Sequence, residues 1–287
     1  MMREKISTCI TAFNEEGSIG RCLESVAWTD EIVVVDSFSA DKTVEISRRY
    51  TDRVYRHEWL GYIGQKNLIK EMATHPWILF IDADEAVSPA LRDEIIRELE
   101  SPENSQYAGY EFPRMVNYLG RWIRRGDWYP DVKLRLFRRE HGKCAGVEPH
   151  DRVIVDGKIK KLRGDLLHHT YDSIEEHIAA INKYSTLTAQ GWFKAGRRFS
   201  LLHLLFRPPL RFLRCYLLKL AFLDGIHGLI ISYTVAYGVF IKYAKLWSYH
   251  RTAQRAKDAA QTDVAGGNGK PNQEKKPPAD LPEERVV

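Results

Sequence analysis

Apolar runs of four to six residues recur through the first hundred positions, and between them apolar residues return at every third or fourth place. The runs at 6–11, 31–36 and 77–82, with a shorter one at 53–56, predict strands. The intervening segments 17–27, 41–50 and 63–73 predict helices, and Ser88-Pro89 carries the start signal of another. Ile32-Val33-Val34-Val35 and Ile78-Leu79-Phe80-Ile81 are apolar without alternation, as strands are when helices cover both faces of their sheet. The fold class expected is therefore α/β with a mostly parallel central sheet.

From 107 to 167 the texture changes to short strands rich in aromatics, arginine and glycine, including 109–113 and 133–138. Ser173-Ile174-Glu175-Glu176 has capping-box spacing and opens a helical remainder to about residue 250. Within it, 226–241 has no formal charge, but it is short for a membrane span and contains His227, Gly228 and Gly238. An interfacial or re-entrant helix fits it better, although 217–247 with its flanking lysines leaves spanning open. Beyond Arg251 there is no aromatic residue, and Gly266-Gly267-Asn268-Gly269-Lys270-Pro271 predicts a disordered tail. The organisation expected is a catalytic domain over 1–170, a membrane-associating helical region over 171–250 and a tail over 251–287.

With 287 residues and 44% hydrophobic content, the chain can bury a sizeable core. Cys9, Cys22, Cys144 and Cys215 show neither Cys-x-x-Cys spacing nor a histidine cluster, which argues against disulfides and structural zinc. The amino terminus enters its first apolar strand without the long apolar core of a signal peptide, so export is not expected. The net charge of +5 is unevenly placed: seven Lys or Arg and no acid lie between Lys194 and Lys219, interleaved with leucines and Phe199, Phe206 and Phe212. That mixture suits an anionic membrane surface better than a nucleic-acid groove, so no nucleic-acid polymer is expected as a partner.

The chemistry begins where the run 77–81 ends in Asp82-Ala83-Asp84-Glu85. Strand alternation puts Asp82 and Asp84 on one side, where two acids at a parallel strand's carboxyl end can share a divalent cation with a phosphate ligand. The plain alternative is a strand end followed by helix-capping acids. Three more polar segments break the chain: Thr11-Ala12-Phe13-Asn14-Glu15-Glu16, Asp36-Ser37-Phe38-Ser39-Ala40-Asp41, and Gly64-Gln65-Lys66-Asn67. Asp36 and Glu15 could accept hydrogen bonds from a base or ribose, and Lys66 could face a diphosphate. Taken singly, Ser39 or Asp41 is a good helix cap, Asn14 suits a turn and Lys66 suits a solvated helix. No structural rule demands such breaks after successive strands. Neither a Gly-x-Gly-x-x-Gly motif nor a P-loop is present.

In this order the four segments resemble the nucleotide-sugar half of family 2 glycosyltransferases of GT-A fold, over residues 5–170. Trp128-Tyr129-Pro130-Asp131, Arg135-Leu136-Phe137-Arg138 and the basic, apolar helices that follow are similar to the lipopolysaccharide-core branch. The resemblance implies a nucleotide site drawn from Thr11, Ala12, Asn14, Glu15, Asp36, Ser37, Lys66, Asp82, Ala83 and Asp84. Within it, Glu15 and Asp36 would hold the uridine and Lys66 would lie near the diphosphate. It further implies a divalent cation, Mg or Mn, with Asp84 as principal ligand and Asp82 near ribose and metal. In that branch a His-Glu pair follows the Arg-Leu-Phe-Arg strand, whereas this chain reads Val147-Glu148-Pro149-His150-Asp151-Arg152. The general base is accordingly sought at Asp151 first, then Glu148, then Asp131, with the pairing of Asp151 to Arg152 or Arg138 as the structural alternative. Asp127, Trp128 and Tyr129 could shape the acceptor pocket or equally be core, and Arg121, Arg124 and Arg125 could pair with acceptor phosphates, with a solvated face as the default for any one of them.

The function expected is inverting transfer of a hexose, glucose first, from a UDP-sugar to a membrane-bound glycan such as the lipopolysaccharide inner core. Its place would be the cytoplasmic face of the inner membrane. The alternatives are a metal-dependent phosphoryl transferase or phosphatase using Asp82 and Asp84, and a non-catalytic membrane-associated nucleotide-sugar-binding protein.

Overall fold

The computed structural model describes residues 3–147 and 150–265, without the side chains of 147, 150, 151 and 260–265. The first half alternates β1 (Ile6–Ala12), α1 (Ile19–Val26), β2 (Glu31–Asp36), α2 (Thr43–Ser47), β3 (Val54–Arg56), α3 (Gly61–Met72) and β4 (Trp77–Asp82). The strands pair in parallel in the order β3-β2-β1-β4. The chain runs outward from β1 to β3 and then returns to lay β4 on the other side of β1. That reversal opens a crevice beyond the carboxyl ends of β1 and β4, the place where open α/β sheets take ligands.

The unbroken apolar runs follow from the two covered faces. Ile10, Val34, Leu79 and Ile81 point to one core with Ile19, Leu23 and Val26 of α1. Cys9, Val33, Val35, Ile78 and Phe80 point to the other with Ile69 of α3 and Phe137. Alternate residues of each strand thus feed different cores, and both sets must be apolar.

Next come β5 (Glu85–Val87), α4 (Pro89–Glu100), β6 (Tyr107–Tyr118), β7 (Arg121–Trp122), β8 (Asp131–Arg138), β9 (Gly142–Val147), β10 (His150–Val155), β11 (Lys158–Lys161) and β12 (Leu166–Tyr171). Ser88 caps α4 as its sequence predicts, its hydroxyl accepting from the Leu91 amide at 3.1 Å. β8 runs antiparallel between β4 and β6, and β12 lies between β6 and β5. The central sheet is therefore parallel in its first half and mixed in its second. β9 and β10 form a separate hairpin held to α3 by Asn67, which donates to the Cys144 carbonyl and accepts from the Cys144 amide, both at 2.9 Å.

The helical remainder comprises α5 (Ile174–Lys194), α6 (Leu201–Leu213) and α7 (Gly225–Ala265). Ser173 caps α5, accepting from the Glu176 amide at 3.1 Å. The Glu176 carboxylate reaches back to the Asp172 amide, one residue earlier than the usual capping box. α7 continues some fifteen residues beyond the expected end near residue 250, because 251–265 holds no Gly or Pro to stop it. It runs about 60 Å at 1.5 Å per residue. By length and hydropathy the helix could cross a membrane. One flank of its apolar stretch is already committed, since Ile231 packs with Tyr118 and Ile123, and Ile230 and Val235 join that cluster.

Asp127 ties α6 and the turn after it to the sheet domain, pairing with Arg211 at 2.8 Å and Lys219 at 2.9 Å. At the adjacent Gly126, φ is +82° and a Cβ would lie 3.2 Å from both Cys215 and Ala221, so only glycine fits this junction. Asp127 is a clamp between the two regions, its carboxylate engaged by both cations.

His177 of α5 is buried against Tyr118, Trp128 and Tyr171, with its Nδ1 2.9 Å from the Tyr118 hydroxyl. Burial lowers its pKa to about 4. The unfolded chain takes up this proton near pH 6.5 and the folded chain only near 4, so the contribution is complete above 6.5 and is lost as pH falls through that window. Denaturant midpoints are expected to show about 2 kcal/mol less stability at pH 5 than at pH 7 from this group. A His177→Gln variant should lack that part of the acid sensitivity. An unchanged slope in the variant would remove His177 as its source.

Candidate active site

The loops after β1 and β2 are bound to each other before any ligand is considered. The Asn14 amide donates to the Ser39 hydroxyl at 2.8 Å, the Glu15 amide to the Thr43 hydroxyl at 2.7 Å, and the Ala40 amide to the Asn14 side-chain oxygen at 2.9 Å. Asn14 and Phe38 take left-handed φ of 54° and 63°, the bends that let both loops turn back on themselves. Ser39, readable as a helix cap from sequence, instead joins the two loops, as does Thr43.

Asp36 ends β2 fully buried, directly beside Ala12 in register. It accepts from the Ser39 amide at 3.0 Å and from the Ser39 hydroxyl, while Arg56 lies 3.8 Å away. Ser37 accepts from the Gln65 side chain at 3.0 Å, which ties the second loop to α3. Thr11 pairs in register with Asp82, so the ends of β1, β2 and β4 bring Thr11, Ala12, Asp36 and Asp82 to one edge. Glu15 is raised from its ordinary carboxyl value by burial and by the charges of Asp84, Asp41 and Asp82, against the opposing hydrogen bond from Ser18. The edge therefore gathers several carboxylates, of which Asp82 is balanced by Arg135 and Lys66.

Asp82 and Asp84 have different surroundings. Asp82 meets Arg135 at 2.6 Å and the buried Lys66 at 3.0 Å. Burial opposes its charge, but Arg135 and then Lys66 hold it well below the usual carboxylate range. Asp84 instead faces His168 on β12, with Oδ2 2.9 Å from Nε2, and the other ring nitrogen of His168 lies 3.1 Å from the Thr170 hydroxyl. The His169 amide also donates to the Asp84 carbonyl at 3.1 Å.

Sequence reasoning did not single out His168. It comes beside Asp84 because β12 pairs antiparallel with β5, placing His168 opposite Glu85. The adjacent His168-His169 pair, directly after an apolar run, was the available signal.

The carboxylate oxygen suits Mg or Mn and the imidazole nitrogen beside it favours Mn over Mg, when phosphate oxygens and water complete the coordination. Among the described residues no group of three or more His, Cys, Asp or Glu side chains forms a metal cage. The pair thus fits a cation shared with a bound diphosphate.

Beneath these residues lies a buried charge network. Glu85, fully enclosed, accepts from Arg114 at 3.1 Å, from Arg135 at 3.3 Å and from the Asp82 amide at 3.1 Å. Asp131, a candidate base, pairs with Arg114 at 2.7 Å and Lys133 at 3.1 Å, so its oxygens serve this network. Glu148 and the Asp151 side chain lie outside the described residues. The Asp151 backbone is on β10 opposite Gly146, on the hairpin that Asn67 holds to the helix carrying Lys66.

Trp128 lines an open cavity of about 290 Å³ with Tyr171, His177, Tyr184 and Lys242. Tyr129 does not line it; its hydroxyl donates to Asp165 at 3.0 Å. The Arg124 amide donates to Asp224 at 3.1 Å, another tie to the helical region.

A family model described as glycosyl transferase family 2 matches residues 7–163. The chain is 34% identical over 253 residues to an uncharacterized glycosyltransferase of Rickettsia typhi, covering 85% of this chain and 87% of that one. It is also 34% identical over 257 residues to the lipopolysaccharide core biosynthesis glycosyltransferase LpsC of Rhizobium meliloti, covering 87% and 94%. Among solved structures, a mannosyltransferase of Pyrobaculum calidifontis is similar with a TM-score of 0.45 at 16% identity, over 91% of this chain and 81% of the other.

Proposed function

The chain belongs to glycosyl transferase family 2 and is a glycosyltransferase, and we propose that it moves a hexose, glucose first, from a UDP-sugar to a membrane-bound glycan of the lipopolysaccharide-core kind. The observation that carries the donor half is the meeting of Asp84 with His168 at the same sheet edge as Asp36 and Lys66. The name of the Rhizobium meliloti relative supports the acceptor class.

In this reading Asp36 and Glu15 receive the uridine, with Thr11, Ala12, Asn14 and Ser37 supplying the walls of its slot. Asp84 and His168 would hold a divalent cation for the diphosphate, and Asp82 and Ala83 would lie at the ribose side. When bound, that cation neutralises charge on the departing nucleoside diphosphate. Lys66 adds an ammonium fixed by its ion pair with Asp82, the carboxylate that Arg135 also engages. Asp151 takes the proton from the acceptor hydroxyl as its oxygen attacks the anomeric carbon, and UDP leaves from the opposite face. A single displacement inverts the anomeric configuration and needs no carboxylate nucleophile. The exposed apolar faces of α6 and α7 hold the domain at the inner-membrane surface, on its cytoplasmic side.

The test is UDP release from a panel of UDP-sugars with Mg or Mn, using membranes bearing truncated lipopolysaccharide as acceptor. Acceptor-dependent release with one donor is expected. Asp151→Asn should reduce it by about 10²–10⁴-fold, the usual share of a general base, while UDP affinity is kept. Full turnover in Asp151→Asn would shift the base to Glu148 or Asp131. Inorganic phosphate without an extended acceptor would replace glycosyl transfer by phosphoryl chemistry. Binding without turnover for any donor and acceptor would leave a sensor.

A further inference from the structure

The helical region contains one group of cations that the catalytic reading does not use. The buried Tyr243 hydroxyl of α7 accepts from Arg207 of α6 at 2.7 Å and from Arg197, beyond the end of α5, at 3.2 Å. The neighbouring Lys242 has its ammonium 5.4 Å from the Trp192 ring, and the Arg197 guanidinium lies 3.9 Å over the same ring. Three cations from three segments therefore converge on one phenol and one indole. Among the described residues none of them pairs with a carboxylate, whereas Arg211 nearby is balanced by Asp127. Burial, together with Arg211, Arg197 and Arg207, lowers Lys242 from its ordinary value, the effect of gathering like charges with no anion between them.

The cluster borders an apolar surface. On α6, Leu201, Leu202, Leu205, Phe206 and Leu210 are each more than half exposed. On α7, Tyr233 and Phe240 extend the surface, and Tyr233 meets Phe212 with ring centroids 4.5 Å apart. Arginine forks and a lysine beside an apolar face match the headgroup boundary of a bilayer, where phosphate lies directly above acyl chains.

We propose that Arg197, Arg207 and Lys242 form a binding site for the phosphate of an anionic bilayer phospholipid, with the leucines of α6 seated in the acyl layer beside it. The proposal rests on the membrane-surface reading above and names the lipid chemistry that surface selects. Guanidinium groups prearranged by Tyr243 and stacked on Trp192 lose little freedom when a phosphate arrives.

Flotation of the full chain with vesicles of phosphatidylcholine, alone or mixed with phosphatidylglycerol, tests this. The wild type is expected to prefer the anionic vesicles by at least about tenfold, and Arg197→Gln/Arg207→Gln/Lys242→Gln should lose that preference. A control with three exposed charges removed from the sheet domain, Lys158→Gln/Lys161→Gln/Arg163→Gln, should keep it. The exposed Arg207→Gln alone should lower it about fivefold, which covers the case of a poorly folding triple variant. Unchanged preference in the triple and single variants overturns the site, as does an equal loss in the control. Equal binding to neutral and anionic vesicles removes the site but leaves the membrane reading standing. No binding to any vesicle removes both.

Discussion

Asp84→Asn is expected to lower metal-dependent turnover roughly a thousandfold, in line with removing one preorganised electrostatic partner of a transition state. Asparagine keeps the shape and can still accept a hydrogen bond from His168, so the fold should be unaffected. What it loses is the anionic oxygen. Calorimetric titration of UDP with and without Mn separates the possible roles of this pair. In the wild type, Mn should strengthen UDP binding; in Asp84→Asn that gain should vanish while metal-free UDP affinity stays the same. His168→Ala should weaken metal binding by about 10- to 100-fold if the ring ligates or orients the cation. If instead the pair merely joins β12 to the loop after β4, both variants would melt earlier and the Mn-dependent gain in UDP affinity would survive.

The second large effect is on stability. Arg135→Met should cost about 3–5 kcal/mol, because it removes a cation shared by Asp82 and the enclosed Glu85. In a domain of this size that is a fall of about 10 °C in melting temperature. Arg114 still faces Glu85 and Lys66 still faces Asp82, but neither bridges the two acids. Arg138→Met provides the contrast on the same strand. Arg138 pairs with the partly exposed Glu4 and lies over the Trp77 ring, so its loss should cost only about 1–2 kcal/mol. Equal effects of the two substitutions would mean that Glu85 finds another partner.

The network around Glu85 also marks the boundary of what the sequence discloses. The strands β2 and β4 were legible to the residue, because each is a short apolar run that stops at an acid. Once those strands are placed in one parallel sheet, Asp36, Asp82 and the loop after β1 must share an edge, and Lys66 follows from the helix between. His168 and Arg135 were not legible as site residues. His168 is 84 positions from Asp84, and only the register of β12 on β5 brings the two together. Arg135 looks like one more arginine in a strand until β8 is known to lie antiparallel beside β4. Local patterning encodes period and termination; it carries no register between strands far apart in sequence. Asp127 is the same lesson, since nothing near it in sequence pointed to its partners Arg211 and Lys219, on α6 and the turn after it.

That Asp127 clamp, with the packing of Ile231 against Tyr118 and Ile123, ties the helices to the sheet domain at two places among the described residues. Were α6 to rest in the bilayer boundary as proposed, the crevice beyond β1 and β4 would stand at a set height above the lipid. The enzyme would work as a ruler, glycosylating sugars that reach that height and passing over chemically identical ones held nearer or farther from their lipid.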